Sequence, residues 1–302
     1  MGSRQLAFSV LSAVLAVLAC AAPPAPSPTA DAQPAVGQAA APVPPMNADE
    51  PEPLVDAGPP AAPEPAADPA APVLSGRFAP PPGFVRVPLE SGSFGEWLRQ
   101  APLLPPGSPV LLHTGEPKPN QRVHAAVLDI DIGSRDLQQC ADAVMRLRAE
   151  YLLAAGRARE ICFRSVRGEK LRWQGSGAAA FRKYLDKVFA YANSASLLRE
   201  LDPVQGAAPI EPGDVYIVPA GGGFFGHAVI AMDVAEGAKG SRVFLLAQSY
   251  MPAQSIHVLV NRREPDLDPW YPDVRDADLA TPEWTFAPGS LRRFPAAGSC
   301  PR

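Results

Sequence analysis

Residues 213–250, GDVYIVPAGGGFFGHAVIAMDVAEGAKGSRVFLLAQSY, hold three apolar runs, 215–218, 228–234 and 243–247. A glycine-rich loop follows the first and a Gly/Lys turn follows the second. Runs of that length, separated by breakers, predict a strand meander. Its middle strand opens on a histidine. His227 follows Gly226 at the strand mouth, so its imidazole is expected at the end of a rigid element beside a loop. That loop, Gly221-Gly222-Gly223-Phe224-Phe225-Gly226, lacks a side chain at several positions, where a backbone or a ligand can approach closely. A substrate groove is one use for it.

A single globular domain is expected over 84–294, followed by a flexible tail, 295–302. It opens with a strand over 84–89, a short helix over 95–99 ended by Pro102, and a strand over 110–113. HAAVLDIDIG, 124–133, alternates with Ala126, Leu128, Ile130 and Ile132 on a buried face and Val127, Asp129 and Asp131 on a wet one. His124 reads as a satisfied histidine at the end of that strand. In SRDLQQCADAVMRLRAEYLLAAG, residues Leu137, Cys140, Val144, Leu147, Tyr151 and Ala154 recur at helical spacing. Ser134 or Asp136 can cap its start and Gly156 its end. A strand pair over 159–167 and 170–173, a helix over 177–192 and a shorter one stopping at Asp202-Pro203 come next. After the meander, 256–260 is a strand, and 264–284 reads as a surface loop closed by a strand near 284–286. The order is α+β, with a largely antiparallel sheet against a long cysteine-bearing helix.

Half of the 38 prolines fall at or before Pro82, so the domain is smaller than the 302 residues suggest. Residues 1–20 combine Arg4, an apolar run from Leu6 to Leu18, and Val17-Leu18-Ala19-Cys20. The run is too short for a membrane span and has the layout of a secretory signal. Its end resembles a bacterial lipobox, which implies lipidation of Cys20; an ordinary signal peptide is the rival reading. Ala21, rather than an aspartate, after the cysteine favours the outer membrane by resemblance to other bacterial lipoproteins. From 21 to 83 the chain is Ala, Pro and acidic residues, with too little apolar surface to offset the entropy of ordering. It is expected to be a disordered tether, extended at roughly 3 Å per residue. All charges between Ala21 and Gly76 are acidic, so the domain itself is close to neutral. No basic stripe with interleaved aromatics argues for nucleic acid.

Cys140 near a helix N-terminus has its thiolate favoured by free amides and the helix dipole, which would lower its pKa. The plain alternative is a small core residue. Beyond Cys20 the chain holds Cys140, Cys162 and Cys300, and the signal sequence implies an oxidising compartment. A Cys140–Cys162 disulfide is therefore a rival to any catalytic role, while Cys300 reads as incidental. His113, His124, His227 and His257 show no HExxH pattern and no CxxC exists, so no metal is expected, and no cofactor either. Trp173, Trp270 and Trp284 could line a sugar or peptide groove or simply pack.

The strings DLQQCADAVMRLRAEYL, GDVYIVPAGGGFFGHAVIAMDVA, VFLLAQSYMPAQSIHVL, EWTF and LRRF resemble the bacterial domain-of-unknown-function 4846 family. That resemblance covers essentially all of 84–294 and implies no activity. A cysteine opening a helix, then a GD-strand, a GH-strand and a strand carrying a polar residue, is more distantly similar to the papain-like cell-wall peptidases of the NlpC and CHAP types. The resemblance implies a papain-like core with insertions, Cys140 as nucleophile, His227 as base and Gln248 as orienter of the ring. It departs in Gln139-Cys140-Ala141-Asp142, where the NlpC type has Asp-Cys-Ser-Gly, and in a longer gap from Cys140 to His227. A lipid-anchored thiol hydrolase acting on an amide, peptidoglycan or another peptide, is the implied function. A non-catalytic binding or scaffold module on the same shell is the alternative. Two local questions stay open. One register sets His227 opposite Gln248 and a one-residue slip presents Ser249. The amide of Cys140 can stabilise an oxyanion only if the helix begins near Gln138 or Gln139, which is the start we expect despite the earlier capping signal.

Overall fold

The computed structural model describes residues 66–206 and 208–296. The expected signal peptide, the lipidated Cys20, Cys300 and the expected tether up to residue 65 lie outside the described residues, all of which fall in one compact unit. In chain order the elements are α1 (Leu74–Arg77), β1 (Val85–Arg86), α2 (Phe94–Arg99), β2 (His124–Val127), α3 (Cys140–Ala154), β3 (Cys162–Arg164) and β4 (Lys170–Arg172). There follow α4 (Ala178–Tyr191), α5 (Ser194–Leu198), β5 (Asp202–Pro203), β6 (Val215–Val218), β7 (His227–Glu236) and β8 (Arg242–Gln248). The last are β9 (His257–Leu259), β10 (Trp270–Pro272), β11 (Leu279–Ala280), β12 (Thr285–Phe286) and β13 (Leu291–Arg293). This is a mixed α/β architecture with a large antiparallel sheet and few helices.

The meander β6-β7-β8 is the middle of a sheet ordered β2-β9-β8-β7-β6-β13-β5, with β1 and β10 added against β7 and β8. Both faces of that sheet are covered. Ala228, Ile230, Met232, Leu245 and Ala247 pack with α3 and α4 on one side. Val229, Ala231, Phe244 and Leu246 pack with Tyr271, Phe286 and Leu291 on the other. That two-sided burial explains why the strand runs read as nearly continuous apolar stretches rather than alternating ones.

Helix α3 is buried almost all round, with Val144, Met145, Leu147 and Leu152 at no more than 1% exposure. Sealing each of those side chains contributes about 1.5–3 kcal/mol, which makes α3 the spine of the domain rather than an amphipathic surface helix.

Four expectations need correction. The tether does not extend to residue 83, because α1 is already folded in: Leu74 is fully buried, and Arg77 donates to the carbonyls of Ala71 and Leu104. Surrounding Ala and Pro residues mask that short apolar island. The strand expected over 124–133 stops at Val127, where Ala126, Val127 and Leu128 are all buried, so the alternation has no wet face there. Residues 110–113 form only isolated bridges, Leu111 with Pro117 and Leu112 with Gln254. Segment 264–284 is not a surface loop: β10 pairs with β8, and Trp270 and Tyr271 are buried.

Candidate functional site

The site begins where the starts of helix α3 and strand β7 converge. Helix α3 starts at Cys140, with Gln139 as its cap residue, and the earlier capping residues Ser134 and Asp136 stay outside it. The Oδ2 of Asp142 accepts the Gln139 N–H at 3.0 Å, which secures this late start. The amide of Cys140 is thus among the first helical donors, which have no intrahelical partner. Its thiol points across to the mouth of β7 and donates to the Gly226 carbonyl, 3.9 Å away, at the residue before His227. Gly226 is there for space. A Cβ would collide with the Ser194 hydroxyl and with the backbone of Ala220 and Val218, whose strand and loop cross beneath it.

Cys140 is a free thiol, whereas Cys162 is disulfide-bonded, so the Cys140–Cys162 bridge is ruled out. The expected acidity of Cys140 is also overturned. Burial, then the nearby Asp142, push the thiol up to about 11, outweighing the amides of Ala141, Ala228 and Cys140 itself. Burial likewise raises Asp142 to about 8. A helix start lowers a thiol pKa only where desolvation does not cost the thiolate more.

The imidazole of His227 is set by strand β8. The pairing Ile230 with Ala247 and Ala231 with Leu246 differs from both anticipated registers, as does the pairing Val234 with Phe244 on the other side of a bulge between Ala231 and Asp233. Gln248 consequently lies diagonal to His227 on the same face, and its Oε1 accepts from His227 Nε2 at 2.8 Å. Ser249 points elsewhere, donating to the carbonyls of Gln138 and Gln254.

The orientation of Gln248 follows from its other end. Its Nε2 donates to Glu283 Oε2 at 2.8 Å and lies 3.4 Å from His257 Nε2. Glu283 is in turn paired with Lys118 at 2.7 Å. An amide whose hydrogens go to a carboxylate presents its oxygen to His227. His227 Nε2 therefore carries the proton, and Nδ1 keeps the lone pair. Burial, with Lys118 adding to it, lowers His227 to about 4, against the opposing pull of Gln248. At neutral pH the thiol and the imidazole are both uncharged.

Aromatic rings wall the histidine. Tyr250 lies 4.9 Å and Trp284 5.0 Å from its ring, with Phe286 at 5.9 Å. Of the three tryptophans marked from the sequence, Trp284 alone reaches this ring. Trp173 packs with Phe181 and Tyr184, and Trp270 is buried and donates to Ala79. The loop before β7 presents Phe224 and Phe225 to solvent at 81% and 73% exposure. Lys118, His257 and Glu283 complete the surroundings of Gln248 without a motif in the sequence that marks them for this place. Glu283 sits in the EWTF string, but a segment read as surface gave no reason to aim it inward, and Lys118 in Pro117-Lys118-Pro119 carries no local signal. His124 lies 6.1 Å from His257, beyond the site, bonded to Ser108. Among the described residues no three His, Cys, Asp or Glu side chains are grouped to hold a metal.

A family model described as "Domain of unknown function (4846)" matches residues 74–177 and 174–293. No curated protein and no solved structure matches the chain.

Proposed function

We propose that this chain, which belongs to the domain of unknown function 4846 family, is a cell-envelope thiol hydrolase acting on an amide bond, with peptidoglycan as the substrate class. The observation that carries the reading is the commitment of the Gln248 amide to Glu283, which leaves its oxygen for His227 Nε2 and frees Nδ1 as a base. A buried free thiol opens α3 beside the residue preceding that histidine. In the proposed reaction the Cys140 sulfur bonds to the carbonyl carbon as its proton passes to His227 Nδ1. The imidazolium then protonates the leaving amine, and the C–N bond breaks to a thioester. Water, deprotonated by the same nitrogen, cleaves the thioester to a carboxylic acid and restores the thiol. The Cys140 amide is the oxyanion donor. Because the resting pair is neutral, proton transfer accompanies attack instead of preceding it. The distant likeness to NlpC and CHAP peptidases, with a papain-like core, supports the same assignment of Cys140, His227 and Gln248.

The proposal includes an anchor: lipidation at Cys20, retention at the outer membrane, and a Pro-rich acidic tether through which the domain reaches its substrate. Among the described residues no helix is long and apolar enough to cross a membrane. The test is hydrolysis of muropeptides by the wild type and by Cys140→Ala, with products followed by mass spectrometry. Turnover lost in the variant supports the hydrolase; equal activity, or none in either, overturns it. A second reading, a non-catalytic binding or scaffold module, draws on the closure of the site, where Cys140 is 9% and His227 1% exposed. On that reading both proteins bind peptidoglycan alike and neither cleaves it.

A further inference from the structure

A cavity of about 680 Å³ is lined by none of Cys140, His227 and Gln248. Arg148, eight residues along α3 from Cys140 and hence about 12 Å along the axis, lines it instead. Arg148 is 6% exposed as a residue, and its Nε is sealed from solvent without a hydrogen-bond partner. Among the described residues it makes no ion pair. What surrounds it is aromatic: the rings of Phe94, Phe294 and Tyr151, with centroids 5.0, 5.1 and 5.3 Å away.

The neighbouring charges do not neutralise it. Glu160 is the carboxylate that Arg148 senses, but Arg157 holds both oxygens of Glu160, at 2.7 and 2.6 Å. The other lining guanidiniums are also engaged, Arg242 with Glu236 and Arg293 with Asp214 and Glu211. Among the described residues one cation of the cavity is thus left without an ion pair, the most buried of them, with the carboxylate of Glu90 exposed elsewhere on the lining. Ring faces attract a cation, but they accept none of a guanidinium's five N–H donors with the geometry an oxygen offers. An uncompensated buried charge is costly unless something supplies the counter-charge.

We propose that this cavity binds a small organic anion, a carboxylate or phosphate ester, whose oxygens pair with Arg148 and whose apolar part lies against Leu89, Phe94 and Phe294. The volume lies within the roughly 300–1,000 Å³ of small-molecule pockets. The inference is independent of the chemistry proposed at Cys140.

The test uses the full chain and three salts at matched ionic strength: sodium phosphate, sodium acetate and sodium chloride. Trp97 lies 6.3 Å from Tyr151 and 6.4 Å from Phe94, so intrinsic fluorescence reports on the cavity wall. Phosphate or acetate, whichever chemistry the cavity takes, is expected to change that fluorescence saturably where chloride does not. At about 100 times its Kd it shifts the unfolding equilibrium roughly a hundredfold towards the native state. Arg148→Met, which keeps the stem and removes the charge, is expected to abolish both responses without lowering the melting temperature in chloride. Phosphate and acetate both acting on the wild type only as chloride does would overturn the proposal, whether or not the variant folds. So would a variant that responds like the wild type.

Discussion

Gln248 is the residue on which the proposed chemistry would turn, because it links the Lys118–Glu283 pair to a defined tautomer of His227. Gln248→Ala removes the acceptor and lets the ring rotate and exchange its proton between nitrogens. Turnover is expected to fall on the order of a hundredfold with KM nearly unchanged, in steady-state assays on the substrate found for the wild type; an unchanged kcat would remove Gln248 from the mechanism. The thiol offers a second check. With Cys140 pushed up to about 11 by burial and Asp142, its thiolate at pH 8 is scarce. Alkylation by iodoacetamide, followed at the Cys140 peptide by mass spectrometry, is expected to run roughly a hundredfold slower in the native protein than in urea. A native rate that levels off by pH 8.5 would contradict this. The pairing of His227 with Gln248 was legible because both lie in one meander whose strands are plain in the sequence. Glu283 and Lys118 were not, since they arrive from loops whose direction depends on the finished fold.

Elements matter here chiefly by where they start and stop. The 3.6-residue periodicity of α3 extends back to Leu137, yet the helix begins at Cys140, where Asp142 returns to hold the Gln139 amide. Apolar spacing reports which residues are buried, whereas a local hydrogen bond decides where the helix begins. The meander shows the same division: three strands were readable from their runs, and their register was not, because neither the turn that joins Glu236 to Arg242 nor the bulge at Ala231/Asp233 is marked by the apolar pattern. Asp233 there is fully buried between Arg86 and Arg99, at 2.6 and 2.8 Å, partners that lie far away in the chain. The β6–β7 junction yields a prediction. Gly226→Ala drives a methyl into the backbone of Ala220 and Val218 as well as the Ser194 hydroxyl. Since backbone cannot step aside, the expected loss is about 1–3 kcal/mol by urea denaturation, and Ser194→Ala does not restore it. Full recovery in the double variant would show that only the hydroxyl stood in the way.

Across the whole molecule, buried ionisable groups set the pH at which this fold is most stable. Burial raises Asp142 from 3.8 to about 8 and Glu200 from 4.5 to about 8, and Asp214 is displaced in the same direction. One oxygen each of Asp142 and Glu200 has no hydrogen-bond partner. Between those values the folded state binds more protons than the unfolded chain, so stability falls as pH rises towards 8. His227 and His257 act in the opposite sense. Burial lowers them from 6.5 to about 4 and about 3, and the unfolded chain then binds more protons below 6.5, so stability falls as pH drops. From about pH 4.5 to 6.5 the two pairs largely offset each other, whereas from 6.5 to 8 the carboxyls titrate without that opposition. Each is expected to cost up to about 2 kcal/mol over that interval. Urea midpoints should therefore hold level between pH 5 and 6.5 and drop by pH 8. Asp142→Asn keeps an oxygen for the Gln139 amide and has no proton to lose, so its midpoint at pH 8 should exceed that of the wild type. A wild-type midpoint that climbs from pH 6.5 to 8 would mean that Asp142 and Glu200 are ionised in the native state at neutral pH, their charges compensated by contacts beyond those that now hold one oxygen of each.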